Sequence, residues 1–245
     1  TFALCSTEGE MSVSTLGRAL ASDKEVYNAS CGEALAEPGL WYIAQGNQAA
    51  KELLRNDLIP EDKKIIVGVF TSDFRQLTHD GAGVGLFIEA DPPIEAQLAL
   101  ARALFGEDSE VLIPYMNGTL EFEVALIESM TTRMGIKAHI VGVENEREML
   151  QAIKRYSYRV DSIIALPDRG LYNRYTIGNI LRTSYGFGIP VLGFSSKLVG
   201  LGSLATTQLN EQIVVDRIMR WVKKDGSKNG SRQNIEQVAV VFNSS

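Results

Sequence analysis

The sequence predicts an α/β protein with parallel sheets, divided between two lobes. Its 245 residues are enough for one large or two medium domains. Short β-rich runs alternate with longer segments of helical period, which is typical of parallel sheets covered by helices. Glycine-rich stretches interrupt this alternation at two points. Small polar clusters follow several of the predicted strands, at the edge where open parallel sheets bind ligands.

From residue 41 onward the alternation is regular. In the segment 118–134, for example, apolar residues recur at spacings of three and four, which indicates one buried helix face. The predicted strands are 41–46, 63–70, 110–115, 136–143, 161–167, 190–194 and 237–242, and the predicted helices are 47–56, 94–104, 118–134, 146–156, 172–186 and 209–224.

The two interruptions predict where the chain changes lobe. The first is THDGAGVGLFIEADPP (78–93), whose glycines resemble part of a dinucleotide fingerprint. The third glycine comes too early and no helix opens there, so we favour a strand that leaves one lobe and enters the other. The second is KLVGLGSLATTQ (197–208), which ends in a short β-like run. A chain that leaves a lobe and later returns predicts two discontinuous domains.

Composition excludes several classes of protein. The formal net charge is −6, so the surface lacks the positive field that binds phosphate backbones, and we expect no nucleic-acid partner. No apolar run approaches the length of about 18 residues that a membrane helix needs, so we expect no integral membrane protein.

Polar residues at the strand ends are the candidate ligand contacts. Each one alone is more simply interpreted as a helix cap. Five such clusters in series favour a ligand cleft, because helix amino termini and short polar side chains suit a carboxylate or a phosphate. Asp168 and Asp73 were expected to receive an ammonium group, and Tyr172 to form part of an apolar wall. The candidates are Gln45, Asn47, Thr71, Ser72, Asp73, Asn117, Gly118, Thr119, Asp168, Tyr172, Asn173, Ser195 and Ser196.

Motifs for catalysis and metal binding are missing from the sequence. The two histidines, His79 and His139, have no Cys, Glu or His at metal-ligand spacing. Neither a nucleophile elbow nor a Walker A loop occurs. Asp73 with Asp168 is the single acid–base pair that an enzyme in this cleft could use. We therefore expect no enzyme, no metal and no cofactor.

Cys5 and Cys31 are the two cysteines of the chain. In an exported protein they could form one disulfide, which would close a loop of roughly 25 residues. Two buried free thiols are an equally good interpretation, because the number of cysteines does not identify the compartment.

The order of these motifs resembles a known family. WYIAQGNQAAKELL and KKIIVGVFTSD, followed by PYMNGTLEFEVALIE, DSIIALPDRGLYN, GIPVLGFSS and the GSLAT run at Gly202, are similar to segments of ABC-transporter substrate-binding proteins that include tryptophan- and tyrosine-binding members. The resemblance covers roughly residues 40 to 243 and is strongest from 88 to 208.

The resemblance implies a type I periplasmic-binding-protein fold, with two Rossmann-like lobes joined by three hinge strands. It places the first lobe at 1–88 plus 202–232 and the second at 89–201 plus 233–245. It implies a periplasmic or otherwise extracytoplasmic receptor, its signal peptide removed, which closes on a small polar ligand such as an amino acid and presents it to an ABC permease. Asn117–Thr119 would receive the ligand carboxylate and Asp168 with Asn173 the amino group.

One departure from the family leaves an alternative open. The segment before residue 40 is short and polar, so TFALCS is expected as the first strand and residues 11–24 as its helix, while the second β-α unit looks eroded. A reduced first lobe would favour a sensory or accessory module of the same fold, which signals to a protein partner such as a membrane sensor. A regulator core of the sugar-repressor type ranks lower, because no helix-turn-helix precedes the first strand.

Overall fold

The computed structural model describes residues 2–6, 18, 20–21, 26–30, 41–45, 47–60, 64–68, 86–89, 92–119, 121–168, 170–209, 211–224, 231–233 and 238–243. The chain divides into two compact units. Unit 1 comprises Thr1–Asp91 and Leu209–Gln237, and unit 2 comprises Pro92–Gln208 and Val238–Ser245. The chain thus passes between the units three times, each time a few residues after the boundary inferred from the sequence.

Nineteen elements of regular structure lie in the described residues. In chain order they are β1 (Phe2–Ser6), β2 (Val26–Ser30), β3 (Trp41–Gln45), α1 (Asn47–Arg55), β4 (Lys64–Gly68), β5 (Leu86–Glu89), α2 (Ile94–Phe105), β6 (Glu110–Met116), α3 (Glu121–Met134), β7 (Lys137–Val143), α4 (Glu146–Tyr156), β8 (Ser162–Ile164), α5 (Ile177–Gly186), β9 (Val191–Gly193), α6 (Ser196–Leu201), β10 (Ala205–Leu209), α7 (Glu211–Lys223), β11 (Ser231–Gln233) and β12 (Val238–Phe242).

Each unit contains one six-stranded sheet. The strand order in unit 1 is β2-β1-β3-β4-β5-β11, and every adjacent pair is parallel. The order in unit 2 is β7-β6-β8-β9-β10-β12, and the first four pairs are parallel. Asn243, just after β12, donates its N–H to the carbonyl of Leu204, just before β10, so β12 runs in the opposite direction. The two sheets repeat the same order of strands, an α/β architecture as the alternation of elements predicts.

The six-stranded sheet of unit 1 corrects one expectation. The sequence before residue 40 supplies two strands, β1 and β2, so no strand is missing from this lobe. The segment VYNAS escaped notice because its five residues are too few to show a clear period. It lies at the end of the sheet, and edge strands require less apolar sequence than central ones. Of the helix expected over 11–24, residues 18, 20 and 21 are described, and they are helical.

Alternation along the strands builds a core on both faces of each sheet. In β1, Ala3 packs with the cluster around α1, whereas Phe2 and Leu4 pack with the cluster around α7. In β6, Leu112 packs on the side of α4 and α5, and Val111 packs on the side of α2 and α3. Central strands covered on both faces read as continuous apolar runs, which explains why these strands were readily predicted.

Three elements of unit 2 and its crossings differ from prediction. Helix α5 begins at Ile177 and not at residue 172, because a polar turn precedes it. Helix α6, over SKLVGL, was not predicted, since six residues with a glycine carry little helical period. Strand β11 was likewise missed and is three residues long. Among the described helices, none has the length and apolar character to cross a membrane.

Candidate functional site

The strand order identifies the edge of unit 2 where a ligand is expected. From β6 the chain continues to β7 on one side and then returns to β8 on the other, so the order reverses between β6 and β8. In open parallel sheets, ligands bind beside the carboxyl ends of the strands at such a switch point. Residues 117–119 follow β6, and residues 165–173 follow β8. The candidates Asn117, Thr119 and Asp168 therefore lie at the switch point of unit 2.

Asp168 is the centre of this edge. Its side chain is 3% exposed. One carboxylate oxygen, Oδ2, accepts hydrogen bonds from the Met116 N–H at 2.6 Å and from the Thr119 hydroxyl at 2.8 Å. The other, Oδ1, accepts from the backbone N–H groups of Gly170 at 2.9 Å and Leu171 at 3.2 Å. The carboxylate thus joins the segment after β6 to the segment after β8.

These bonds give Asp168 a structural role at the edge. Three backbone N–H groups donate to its carboxylate, and the Thr119 hydroxyl lies within reach of both Asp168 Oδ2 and the Met116 carbonyl. Asp168 therefore organises the edge, and its expected contact with the amino group of a ligand stays a prediction.

The turn after β6 is shaped by Gly118 and Thr119. Gly118 has φ +85°, in the left-handed region that residues with a side chain rarely adopt. The Thr119 N–H donates to the Met116 carbonyl at 3.1 Å, and its hydroxyl lies 2.6 Å from that carbonyl and 2.8 Å from Asp168 Oδ2. Helix α3, 14 residues long, starts at Glu121, just after this turn. The amino end of a helix carries unpaired N–H groups and a positive partial charge, which suits a carboxylate or a phosphate.

Asn117 is directed to the neighbouring strand. Its side-chain amide donates to the Glu144 carboxylate at 2.6 Å, and its backbone N–H donates to the Val143 carbonyl at 2.9 Å. A Cβ at Gly142 would lie 2.0 Å from Asn117 Oδ1. Glycine at position 142 therefore makes room for this side chain over β7. The Asn117 amide is held by the end of β7, a contact that the sequence did not predict.

Tyr172 packs into the interior, as an apolar wall would. It is 7% exposed and meets Phe194 edge-on, with ring centroids 6.1 Å apart. Its hydroxyl is buried and has no hydrogen-bond partner among the described residues. Burial, together with the negative charge of Asp168, raises the pKa of Tyr172 well above its usual range. The hydroxyl is therefore a neutral donor close to the switch point.

Asn173 stabilises the turn that precedes α5. Its side chain donates to the Gly170 carbonyl at 3.1 Å and accepts from the Tyr175 N–H at 2.9 Å. The Thr176 hydroxyl donates to the Leu171 carbonyl at 2.6 Å. These bonds satisfy the backbone of a polar turn before the helix begins, which is the capping role that was considered for each polar cluster.

Ser195 and Ser196 lie at the end of β9, where α6 begins. Ser195 is half-buried and Ser196 is exposed. Ser195 occupies the N-cap position, but its side chain makes no capping hydrogen bond. The side-chain oxygen of a capping serine normally accepts a hydrogen bond from a backbone N–H of the first turn, so the Ser195 hydroxyl is available to a ligand.

In unit 1 the equivalent switch point lies between β1 and β3. Gln45 ends β3 and Asn47 begins α1, as predicted. Thr71, Ser72, Asp73 and Cys31 lie outside the described residues, whereas Cys5 is buried in β1. The sequence interpretation missed Ser6, the last residue of β1, which pairs with Ser30 of β2. The signal for it was the same as elsewhere, an apolar strand that ends in a polar cluster.

Two cavities of unit 2 lie away from this edge. One, of about 600 Å³, is lined mainly by apolar residues near the amino ends of β9 and β10, such as Ile189, Pro190 and Leu204. The other, of about 430 Å³, lies along α4 and includes Asn179 of α5. Among the described residues no group of three or more His, Cys, Asp or Glu side chains is placed to hold a metal ion. The switch point thus remains the candidate site on topology and polar chemistry.

Comparison with known proteins gives a fold and no close relative. The chain matches no protein-family model and no curated protein sequence. Among solved structures, the ligand-free, open form of a substrate-binding protein with adhesive properties from Clostridium difficile has a TM-score of 0.72 at 11% identity, over 99% of this chain and 92% of that one.

Two further structures of the same architecture contain ligands. An ABC domain from Streptococcus pneumonia in complex with L-Trp has a TM-score of 0.56 at 12% identity, over 99% of this chain and 92% of that one. An ABC transporter periplasmic solute-binding protein from Actinobacillus succinogenes with bound D-allose has a TM-score of 0.53 at 15% identity, over 99% and 96%. A LacI family transcriptional regulator shares the fold as well. The chain therefore has the type I periplasmic-binding-protein fold.

Proposed function

We propose that the protein is an extracytoplasmic solute-binding protein of an ABC-type importer, which binds a small polar ligand, an amino acid in the first instance. The observation that carries the proposal is the edge at the switch point of unit 2. There Asp168 holds the turn before α3 and the segment after β8 in one fixed arrangement. A rigid, prearranged edge lowers the ordering cost that ligand binding would otherwise incur.

We assign the ligand contacts to groups at the carboxyl edges of the two sheets. A ligand carboxylate would lie at the amino end of α3, beside Gly118 and Thr119. The Ser195 hydroxyl would add a donor from the end of β9. Because backbone N–H groups of the chain itself donate to both oxygens of the Asp168 carboxylate, we assign the ligand amino group to Asp73. Gln45 and Asn47 would supply the remaining contacts from unit 1.

Closure supplies the mechanism in this proposal. A ligand that contacts both units only in a closed form binds that form more tightly, and so shifts the population toward it. A permease can then distinguish loaded from empty receptor by shape. No covalent chemistry is required, which agrees with a chain whose fold is shared by binding proteins and regulators.

Two observations bear on the alternatives. The hypothesis of a sensory or accessory module relied on a reduced first lobe, and the six-stranded sheet of unit 1 removes that reason. The choice between an amino acid and a sugar depends on whether a charged amine is recognised. Proteins of this fold carry either L-Trp or D-allose, so both classes belong in the first screen.

Isothermal titration against the twenty L-amino acids, D-ribose and D-allose tests the proposal, with small-angle scattering to detect compaction. We expect heat and compaction with at least one amino acid. Ser195→Ala should weaken that binding by about 0.5–1.5 kcal/mol, the value of one neutral hydrogen bond. Ser157→Ala, at the end of α4 in the same unit, is the matched control and should leave affinity unchanged. Absence of heat with every compound would reject the proposed function.

A further inference from the structure

Gln97 is a polar side chain in an apolar environment. It lies in the first turns of α2, which begins shortly after the chain enters unit 2 at Pro92. The residue is 2% exposed, among the buried side chains of Leu98 and Ala101 on the same helix. A buried amide that lacked partners would cost free energy, so its hydrogen bonds define what it does.

The amide of Gln97 connects two strand ends. Its Nε2 donates to the carbonyl of Gly193, the last residue of β9, at 3.0 Å. It also donates to the carbonyl of Ala165, just after β8, at 3.2 Å. Both partners are acceptors, so the NH₂ end must face them and the orientation of the amide is determined. One side chain thus fixes the distance between two strands that lie next to each other in the sheet.

A second side chain meets the same carbonyl. Thr206 of β10 is fully buried, and its hydroxyl donates to the Gly193 carbonyl at 2.7 Å. Thr206 lies shortly before the point at which the chain leaves unit 2, after Gln208. The Gly193 carbonyl therefore accepts hydrogen bonds from two residues, Gln97 and Thr206. Gln97 lies close to the point where the chain enters unit 2, and Thr206 lies close to the point where it leaves.

The backbone at Gly193 is also closely packed. A Cβ there would lie 3.0 Å from the Cβ of Leu198 in α6 and 3.0 Å from Oγ of Ser203. Such distances are tighter than ordinary van der Waals contact. The end of β9 is thus held by two hydrogen bonds and by close packing. Ser195 and Ser196, two of the candidate ligand contacts, follow directly.

We propose that Gln97 is a positioning residue for the candidate site. Its amide holds the ends of β8 and β9 together, and with Thr206 it connects them to the segments at which the chain enters and leaves unit 2. The position of Ser195 and of the segment around Asp168 then depends on these two segments. This inference rests on the proposed function for its purpose, but the positioning itself is a property of the ligand-free protein.

Hydrogen exchange measured by mass spectrometry on the ligand-free protein tests the positioning. Gln97→Met keeps the length of the side chain and removes both donors. We expect amides in 165–172 and 194–198 to exchange at least about tenfold faster, because each loses a buried hydrogen bond that restrains its segment. Exchange in α4 should stay within about twofold. Gln151→Met, at an exposed position of α4, is the matched control and should change neither segment.

Thr206 provides a second pair of variants in case Gln97→Met does not fold. Thr206→Val removes the hydroxyl at constant shape and should raise exchange in 194–198 alone, since this hydroxyl donates to the Gly193 carbonyl and not to that of Ala165. Thr206→Ser restores a hydroxyl and should return that segment to the exchange rate of the natural protein. Uniform faster exchange across unit 2, or none at all, would overturn the positioning role.

The same variants separate this inference from the proposed function. Local exchange effects without heat in any titration would retain the positioning role and reject the solute-binding function. If an amino acid gives binding heat but Gln97→Met leaves hydrogen exchange unchanged, the solute-binding function is retained and the positioning role is rejected. Where both hold, Gln97→Met should weaken binding of that amino acid by about threefold or more, whereas Gln151→Met should not.

Discussion

Two aspartates hold the two ends of the same strand, and their surroundings differ. At the amino end of β6, the Glu110 N–H donates to Asp161 Oδ2 at 2.8 Å, and Asp161 is exposed. At the carboxyl end, the Met116 N–H donates to Asp168 Oδ2 at 2.6 Å, and Asp168 is buried with three further donors. The same kind of hydrogen bond, from a backbone N–H to a carboxylate, is thus exposed to solvent at Asp161 and buried at Asp168.

The difference between the two aspartates shows why the carboxyl edge of the sheet is the more rigid one. At the exposed end, water can replace Asp161, so its bond contributes little to stability. At the buried end, removal of the carboxylate leaves three backbone N–H groups without their acceptor, and the two segments of the candidate site lose their connection. Rigidity is thus concentrated at the edge where ligands bind in this class of sheet.

The largest expected effect separates these two aspartates. Asp168→Ala should lower the free energy of unfolding by about 3–5 kcal/mol, because a buried charged group with several partners is lost. Asp161→Ala should lower it by about 0.5–1 kcal/mol, as for one exposed hydrogen bond. Urea denaturation of both variants measures the difference. Equal losses would show that burial does not distinguish the two ends.

Tyr172 sharpens the comparison at high pH. Its pKa is raised in the folded protein, so above about pH 10 the unfolded chain releases this proton while the folded protein retains it. Its contribution to stability is complete below that pH and is lost as pH rises further, by at most about 1.4 kcal/mol per pH unit. Tyr172→Phe should remove this component, so the difference in free energy of unfolding between the natural protein and the variant should be constant below about pH 10 and change only above it.

At neutral pH the same substitution should be neutral or stabilising, by about 0.5–1 kcal/mol, because the buried hydroxyl lacks a partner among the described residues. Tyr42→Phe is the control for loss of a hydroxyl at a buried tyrosine. Tyr42 lies in unit 1, whereas Tyr172 lies in unit 2. A clear loss of stability in Tyr172→Phe at pH 7 would mean that the hydroxyl has a partner after all.

The last expected effect concerns Gly142. An added Cβ would meet Asn117 Oδ1 at 2.0 Å, so Gly142→Ala should displace that side chain and break its bond to Glu144. Because Asn117 is exposed and able to rotate, we expect a loss of only about 1 kcal/mol in thermal or urea unfolding. In an Asn117→Ala background the Gly142→Ala substitution should cost less. Equal cost in both backgrounds would contradict this contact.

Much of the fold could be predicted from local sequence, and the exceptions have physical reasons. Helix α4 was predicted with both of its ends, because Asn145 caps it and its apolar residues keep a helical period. Strand β2 was missed because its five residues are too few to show a clear period. Gln97 was missed although a signal existed, a glutamine between Ile94, Leu98 and Ala101 on an otherwise apolar helix face.

The contribution of the candidate residues to ligand binding stays a prediction, whereas their place after the strands is visible in the sheet topology. Asp168, Thr119 and Asn117 do follow strands, at the switch point where β6 and β8 end. Which of their polar groups the chain itself uses depends on contacts between segments about 50 residues apart, such as that of Thr119 with Asp168. No local pattern encodes such a contact.

Side-chain periodicity, which is local, specifies the alternation of strands and helices. The common direction of parallel strands then brings their polar ends to one edge of each sheet. The hydrogen bonds of Asp168 with its own neighbours, and those by which Gln97 joins two strand ends, could be assigned from the folded structure alone. Those assignments depend on burial and on distances between remote segments, since a polar group removed from water must find its partners wherever the fold brings them.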